Sequence, residues 1–298
     1  MKLTRQDFVF DTIKVILLAT LLVVTLYPFL NVLAISLNEP RDTMRGGIKL
    51  WPREFSIINY KDILTDQNIS VATRNSVLRT VISALVQTFC TAMVAYTLSR
   101  REYALRLPIA IIYVITMYVD GGLIPTYFLF RSLGLINSFH VYWLPGLTVA
   151  FNMLIIRTYI RGISESFVES AKMEGANDFW IFMRIILPLS VPVLATIVLF
   201  TAVWQWNHWW DTFIFNSSKI NLTTLQYELM KKIQSANAAM SGTSMQDAFS
   251  RGAGSGSQVT PASLRAAMTI VVSLPIVMVY PFLQRYFIHG LTIGGVKG

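Results

Sequence analysis

The sequence predicts an all-α, polytopic membrane protein with six transmembrane helices, and three observations carry that prediction. Apolar residues make up 54% of the 298 positions and charged residues only 14%, with a mean hydropathy of +0.52, a balance too apolar for a soluble domain of this size. The apolar residues gather in runs of about twenty, the length that crosses a bilayer, instead of alternating with polar residues at a helical or strand period. A net charge of +9 suits a polytopic chain with basic inner loops.

The composition also excludes several function classes. Lysines and arginines are scattered over separate loops and form no stripe, which argues against nucleic-acid binding. Cys90 is the single cysteine and lies inside an apolar run, so it has no disulfide partner. His140, His208 and His289 are far apart and lack ligand spacing, so neither a metal site nor nucleophilic catalysis finds support.

Residues 1–14 alternate charge with Leu3, Phe8, Val9, Phe10 and Ile13, predicting a short amphipathic segment at a membrane surface. The run Val15 to Ile35 exceeds the roughly 7 to 15 residues of a signal-peptide core and is expected to be an uncleaved first span. Residues 36–74 carry Pro40, Gly46-Gly47 and Pro52 and form an extramembrane loop. A second span covers Asn75 to Leu98, with Arg79 near its outer end, expected to snorkel to the headgroups. The connection from Ser99 to Arg106 contains Arg100, Arg101 and Arg106, a density that marks an inner loop.

The third predicted span, Leu107 to Phe130, contains Asp120-Gly121-Gly122 and Pro125. A carboxylate at the bilayer centre costs about 2.5–3.5 kcal/mol on insertion scales, so Asp120 belongs either to an interfacial helix break or to the lining of a translocation path. The fourth span, Phe139 to Ile156, carries a kink at Pro145-Gly146, and the fifth runs from Leu189 to Trp206. Its outer end, Trp204 to Trp210, reads as an aromatic belt, although Trp204 and Asn207 could also contact a sugar on the substrate path. Residues 211–264 form the longest loop, ending in a Ser/Gly/Ala-rich stretch. The sixth span covers Leu264 to Phe287 and a short tail follows. The expected organisation is thus an amphipathic segment 1–14, a membrane domain 15–288 and a tail 289–298, with both termini on one side.

Between the fourth and fifth spans lies a mixed-charge island, residues 157–188. Its apolar residues recur at helical spacing, including Ile160, Ile163, Phe167 and Ala171 and, further on, Phe179, Phe182 and Met183. Ser164-Glu165-Ser166 offers an N-cap, Gly175 suits a left-handed helix end, and Asn177 or Asp178 could cap a second helix that enters the membrane after Pro188.

The spacing Glu169-Ser170-Ala171, Gly175, Ile185, Leu187, Pro188 resembles the EAA loop of permease subunits in ATP-binding-cassette importers, with Ser170 in place of the first alanine. The Gly121 to Pro125 segment, the ending Phe282 to Phe287, and Gly290-Leu291-Thr292 and Val296-Lys297-Gly298 extend that resemblance over the full length. They look like the carbohydrate-uptake branch, similar to the second permease of maltose and oligosaccharide transporters, and more closely to the subfamily importing polysaccharide fragments.

That resemblance implies a cytoplasmic coupling helix seated in a cleft of an ATPase subunit. Glu169, Ser170, Ala171, Met173, Glu174, Gly175, Ala176, Leu187 and Pro188 would be the coupling residues. Glu169 would pair with a basic group, Ala171 and Gly175 would allow close packing, and Met173 would give adaptable apolar contact. The implied partners are a homologous second permease, two ATPase subunits, an extracytoplasmic solute-binding protein, the oligosaccharide and membrane lipid, in a bacterial cytoplasmic membrane with both termini cytoplasmic. ATP and Mg would belong to the ATPase, since this chain has no G-x-x-x-x-G-K-[ST] loop. No cofactor and no enzymatic activity are expected on this chain. Basic outer residues would tolerate acidic cargo such as alginate or pectin oligomers. An ion-gradient-driven secondary transporter is the alternative; it lacks an inverted repeat and has only Asp120 as a candidate intramembrane carboxylate. An intramembrane enzyme would need converging catalytic groups, and none are apparent.

Overall fold

The computed structural model describes the backbone of residues 5–242 and 260–292, and the side-chain surroundings of residues 10–235 and 260–279. Helices dominate and no strand occurs among the described residues beyond one isolated bridge, Asn38 to Phe55. Two compact units are distinguished: Met1–Ile69 with Glu228–Leu274, and Ser70–Tyr227 with Pro275–Gly298.

In the first unit, α1 (Arg5–Ser36) is one continuous helix, so the amphipathic segment and the first span are not separate elements. Its residues 10–30 are exposed throughout, as suits a helix whose surroundings are lipid or another subunit. A buried polar knot follows around α2 (Pro40–Thr43) and α3 (Ile58–Thr65). Asn38 accepts from the backbone N–H groups of Arg53 and Glu54 and donates to Asp42, while Arg53 Nε donates to Asp42 at 2.9 Å. Nearly every polar group of the turn is thereby satisfied, which lets a loop rich in Gly and Pro hold one conformation.

In the second unit, α4 (Gln67–Ser99) matches the second predicted span, and α11 (Val191–Asn207) the fifth. The third predicted span is not continuous. It consists of α5 (Arg106–Ile115) and α6 (Leu123–Ser132), separated by an irregular stretch in which Gly122 has φ +81°. Asp120 Oδ1 accepts from the Gly122 N–H at 3.1 Å, and Pro125 sits in the first turn of α6, where a missing N–H leaves no helical bond unmade.

The fourth predicted span likewise reduces to a 3₁₀ turn, Phe139–Tyr142, followed after Pro145-Gly146 by α7 (Ala150–Arg161). Gly146 allows a close approach: a Cβ there would stand 2.7 Å from the Gln87 side-chain nitrogen, which donates to the Trp143 carbonyl.

The island holds α8 (Ser166–Met173), α9 (Asp178–Ile181), a π turn Phe182–Ile186 and α10 (Leu187–Leu189). Beyond α11 the expected long loop is partly helical: a π turn Thr212–Asn216 and a 3₁₀ turn Ile220–Leu222 lead to α12 (Leu225–Gly242). A run of Leu, Gln, Glu, Lys and Ala with no proline, and with glycine only at its last residue, Gly242, favours that helix, and the Ser/Gly-rich stretch 243–259 lies outside the described residues. Helix α13 (Pro261–Thr292) contains the sixth predicted span, and the last six residues, 293–298, lie outside the description.

By length and composition, three helices among the described residues can cross a bilayer: Phe10–Ser36, Gln67–Ser99 and Pro261–Val279. Asp178–Leu189 and Val191–Asn207, bent by 82°, make a fourth if taken together.

Candidate functional site

The island is anchored by a core that joins the end of α4 to α7, α8 and the π turn. Ala92, Ala95, Tyr96 and Leu98 meet Met153, Ile156 and Ile160, then Val168, Ala171, Ile181, Phe182 and Ile186. Phe182 is the centre, with ring centroids 5.5 Å from Tyr96 and 5.9 Å from Phe89. Burying these side chains at about 25 cal/mol per Å² of apolar area fixes the helices against one another.

Helix α8 is therefore two-faced. Val168 and Ala171 are buried, whereas Glu169, Ser170, Glu174 and Gly175 are exposed and Met173 is 89% exposed. Ala171 thus packs against the core within this chain. Ala176 and Leu187 are half-buried against the same core, and Pro188 is exposed. Among the described residues, the Glu169 and Glu174 carboxylates form no ion pair.

The end of α8 follows the chemistry of its residues. Gly175 takes φ +82°, its N–H donates to the Lys172 carbonyl at 3.0 Å, and the Ala176 N–H donates to the Ala171 carbonyl at 3.0 Å. These two bonds are the Schellman termination, which requires a left-handed residue at that position. Asn177 then caps α9, accepting from the Trp180 N–H at 2.8 Å, and Asp178 occupies the first turn. At the start of α8 the cap position belongs to Glu165, whose side chain makes no capping bond; Ser164 Oγ accepts from the Ser166 N–H instead. A uniform second helix is not found: the chain widens into the π turn before Pro188, which cannot donate to the Arg184 carbonyl, and bends at Ser190.

Polar contacts tie α8 to the Ser99–Arg106 connection. Lys172 Nζ lies 2.5 Å from Glu102 Oε2 and 3.8 Å from Asp178 Oδ1, and Arg101 Nε lies 3.4 Å from Glu165. A hydrogen bond from Lys172, reinforced by its charge, holds the Glu102 carboxyl below its ordinary value, and the same bond raises Lys172. From sequence alone, a lysine such as Lys172 on a surface helix reads as solvated; its role depends on Glu102, seventy residues away, standing opposite.

The residues considered for a substrate path lie on different elements. Asp120 is exposed in the α5–α6 break. Trp204 and Asn207 share the last turn of α11, where Trp204 stacks on His208 at 4.2 Å and Asn207 donates to the Val203 carbonyl.

Arg79 overturns its expected role. Instead of reaching for headgroups it is fully buried, with Nη2 2.6 Å and Nη1 3.1 Å from the two Asp211 carboxylate oxygens. Gln205 Oε1 and the His208 carbonyl accept its remaining bonds, and its guanidinium lies 4.5 Å from the Tyr142 ring centre. The guanidinium snorkels only where no internal acceptor exists; here Asp211 supplies one.

Comparison with known proteins identifies the family. Residues 69–293 match the family described as binding-protein-dependent transport system inner membrane component. The polygalacturonan/rhamnogalacturonan transport system permease protein YtcP of Bacillus subtilis (strain 168) is 34% identical over 295 residues, covering 98% of this chain and 100% of that protein. Protein LplC of the same organism is 31% identical over 295 residues, covering 99% and 97%. Among solved structures, a chain of a bacterial ABC transporter involved in the import of the acidic polysaccharide alginate superposes with a TM-score of 0.83 at 27% identity, covering 95% of this chain and 98% of that one. This chain is therefore a member of the binding-protein-dependent transport system inner membrane components.

Proposed function

We propose that this chain is one permease subunit of an ATP-driven oligosaccharide importer, and that α8 is its coupling helix. The observation that carries the reading is the division of α8 into a buried face and an outward face. Val168 and Ala171 lock it to the core, while Glu169, Ser170, Met173 and Glu174 are offered to solvent beside the fixed Gly175 turn. A rigid helix whose carboxylates form no ion pair among the described residues, and which exposes a methionine, is suited to a basic, partly apolar cleft on an ATPase subunit.

Two ATPase subunits, holding ATP and Mg, would close on nucleotide binding and draw this helix toward its counterpart on a homologous second permease. Because α8 is joined to α4 and α7 through one core, the motion would pass to those helices as a rigid-body shift. This role would call for six crossings with both termini cytoplasmic, the third supplied by the broken α5–α6 and the fourth by the turn before α7 together with that helix. A solute-binding protein would deliver cargo on the outer side, as the family description implies. The transport of polygalacturonan, rhamnogalacturonan and alginate by the relatives supports acidic polysaccharide fragments as cargo. Asp120, Trp204 and Asn207 remain the proposed polar and aromatic contacts of the path. Membership of a binding-protein-dependent family disfavours the ion-gradient alternative.

The test is affinity purification of the tagged full chain from its native membrane. Co-purification of an ATPase and a second permease, with ATP hydrolysis stimulated by uronate oligomers and their binding protein, is the expected result. A chain that purifies alone and transports in response to an ion gradient would refute the proposal.

A further inference from the structure

Five arginines converge on one cavity of about 400 Å³ that shares Ile160 with the coupling core: Arg100, Arg101, Arg106, Arg157 and Arg161, with Glu165 as the single carboxylate on its wall among the described residues. Glu165 sits against Arg101 at 3.4 Å, so one acid faces five bases. Among the described residues, the buried Nε of Arg100 has no hydrogen-bond partner. Burial, together with the positive charges of Arg161 and Arg106, pushes the Arg157 guanidinium below its ordinary value. Arg157 Nε donates to the Leu98 carbonyl at 2.9 Å and Arg100 lies over the Tyr96 ring at 5.1 Å, but neither contact brings a negative charge, and guanidinium groups brought together in this way favour an anion between them; phosphate, like carboxylate, matches their planar forks.

The surroundings of the cavity indicate where that anion comes from. Leu107 forms part of its wall and is the second residue of α5, whose surface continues outward with Ile111 at 49%, Ile112 at 59% and Ile115 at 51% exposure. A basic cavity continuous with an exposed apolar helix face fits a molecule with a charged head and hydrocarbon tails. A soluble phosphate would leave that apolar face without a role.

We propose that this cavity binds the phosphate headgroup of an anionic membrane phospholipid, with the acyl chains lying along α5. The site goes beyond the coupling proposal and does not depend on it, because it requires only that the chain reside in a lipid bilayer.

The full chain purified in neutral detergent is mixed with phosphatidylglycerol, phosphatidylcholine or inorganic phosphate, and retained lipid is counted by native mass spectrometry alongside the melting temperature. Phosphatidylglycerol should be retained in preference to phosphatidylcholine and should raise the melting temperature. The double variant R106Q/R161Q should lower its retention by about tenfold or more, R106K/R161K should keep most of it, and R131Q, outside the cavity, should match the parent. The lysine variant preserves charge and serves as the control if the glutamine variant folds poorly. Equal retention of the two lipids, or unchanged retention in R106Q/R161Q, would overturn the proposal. An equal melting shift from inorganic phosphate alone would overturn the lipid as its source. Loss of co-purifying ATPase with lipid retention unchanged would assign the arginines to a protein contact and equally refute it.

Discussion

Lys172 and Glu102 meet at 2.5 Å and join α8 to the turn between α4 and α5, two segments seventy residues apart in sequence. The pair stands on the polar margin of the core that holds Ala171, so it restrains the exposed end of α8 without being needed for its burial.

Removing that restraint has a predictable pH signature. Glu102 has a folded pKa below its ordinary 4.5, so its contribution is present above 4.5 and is lost as pH falls through the lower folded value. Lys172 is raised above its ordinary 10.5, so its share is present below 10.5 and is lost as pH rises through the higher value. E102Q should accelerate amide exchange in α8 at neutral pH, and the difference from the parent should vanish well below pH 4.5. A difference that persists in acid would mean the pair is not its cause.

The Arg79–Asp211 pair should behave in the opposite way, as a buried charge pair. R79A leaves Asp211 and Gln205 without their partner and should destabilise the chain by about 3–5 kcal/mol, seen as a fall in melting temperature in detergent. The double variant R79M/D211L should recover much of the loss. Equal melting temperatures for parent and R79A would show that the guanidinium is not buried as described.

Gly175 separates conformation from contact. A Cβ at this position would meet nothing within 4 Å, so G175A should cost only the left-handed backbone penalty of about 1–2 kcal/mol locally. G175P cannot adopt φ +82° and should uncouple ATP hydrolysis from transport while expression stays near normal. Identical coupling in G175P and G175A would remove the turn from the mechanism.

Much of this was legible in the sequence because the signals were local. Gly175 and Asn177 announced the α8 termination through residue chemistry alone, and apolar length located α1, α4, α11 and α13. What escaped depended on partners distant in sequence. Arg79 could be placed outside or inside only by knowing that Asp211 and Gln205 face it. Ala171 belonged to the spacing pattern, yet its inward direction follows from how α8 packs on α4 and α7. The breaks at Gly122 and Pro145 were visible as glycine and proline, but their strength was not, because an apolar run continues through both. Helix α12 was hidden by its polarity, since hydropathy does not register a helix whose formers are Gln, Glu and Lys.

In the proposed mechanism the outward carboxylate of α8 receives force from an ATPase. The most direct measurement is binding-protein- and sugar-stimulated ATP hydrolysis by the reconstituted complex carrying E169K, with R131Q as the control. Reversing the charge opposite the proposed basic cleft should reduce stimulated hydrolysis by about tenfold or more, while R131Q hydrolyses at the parental rate. Stimulated hydrolysis at the parental rate in E169K would contradict the account.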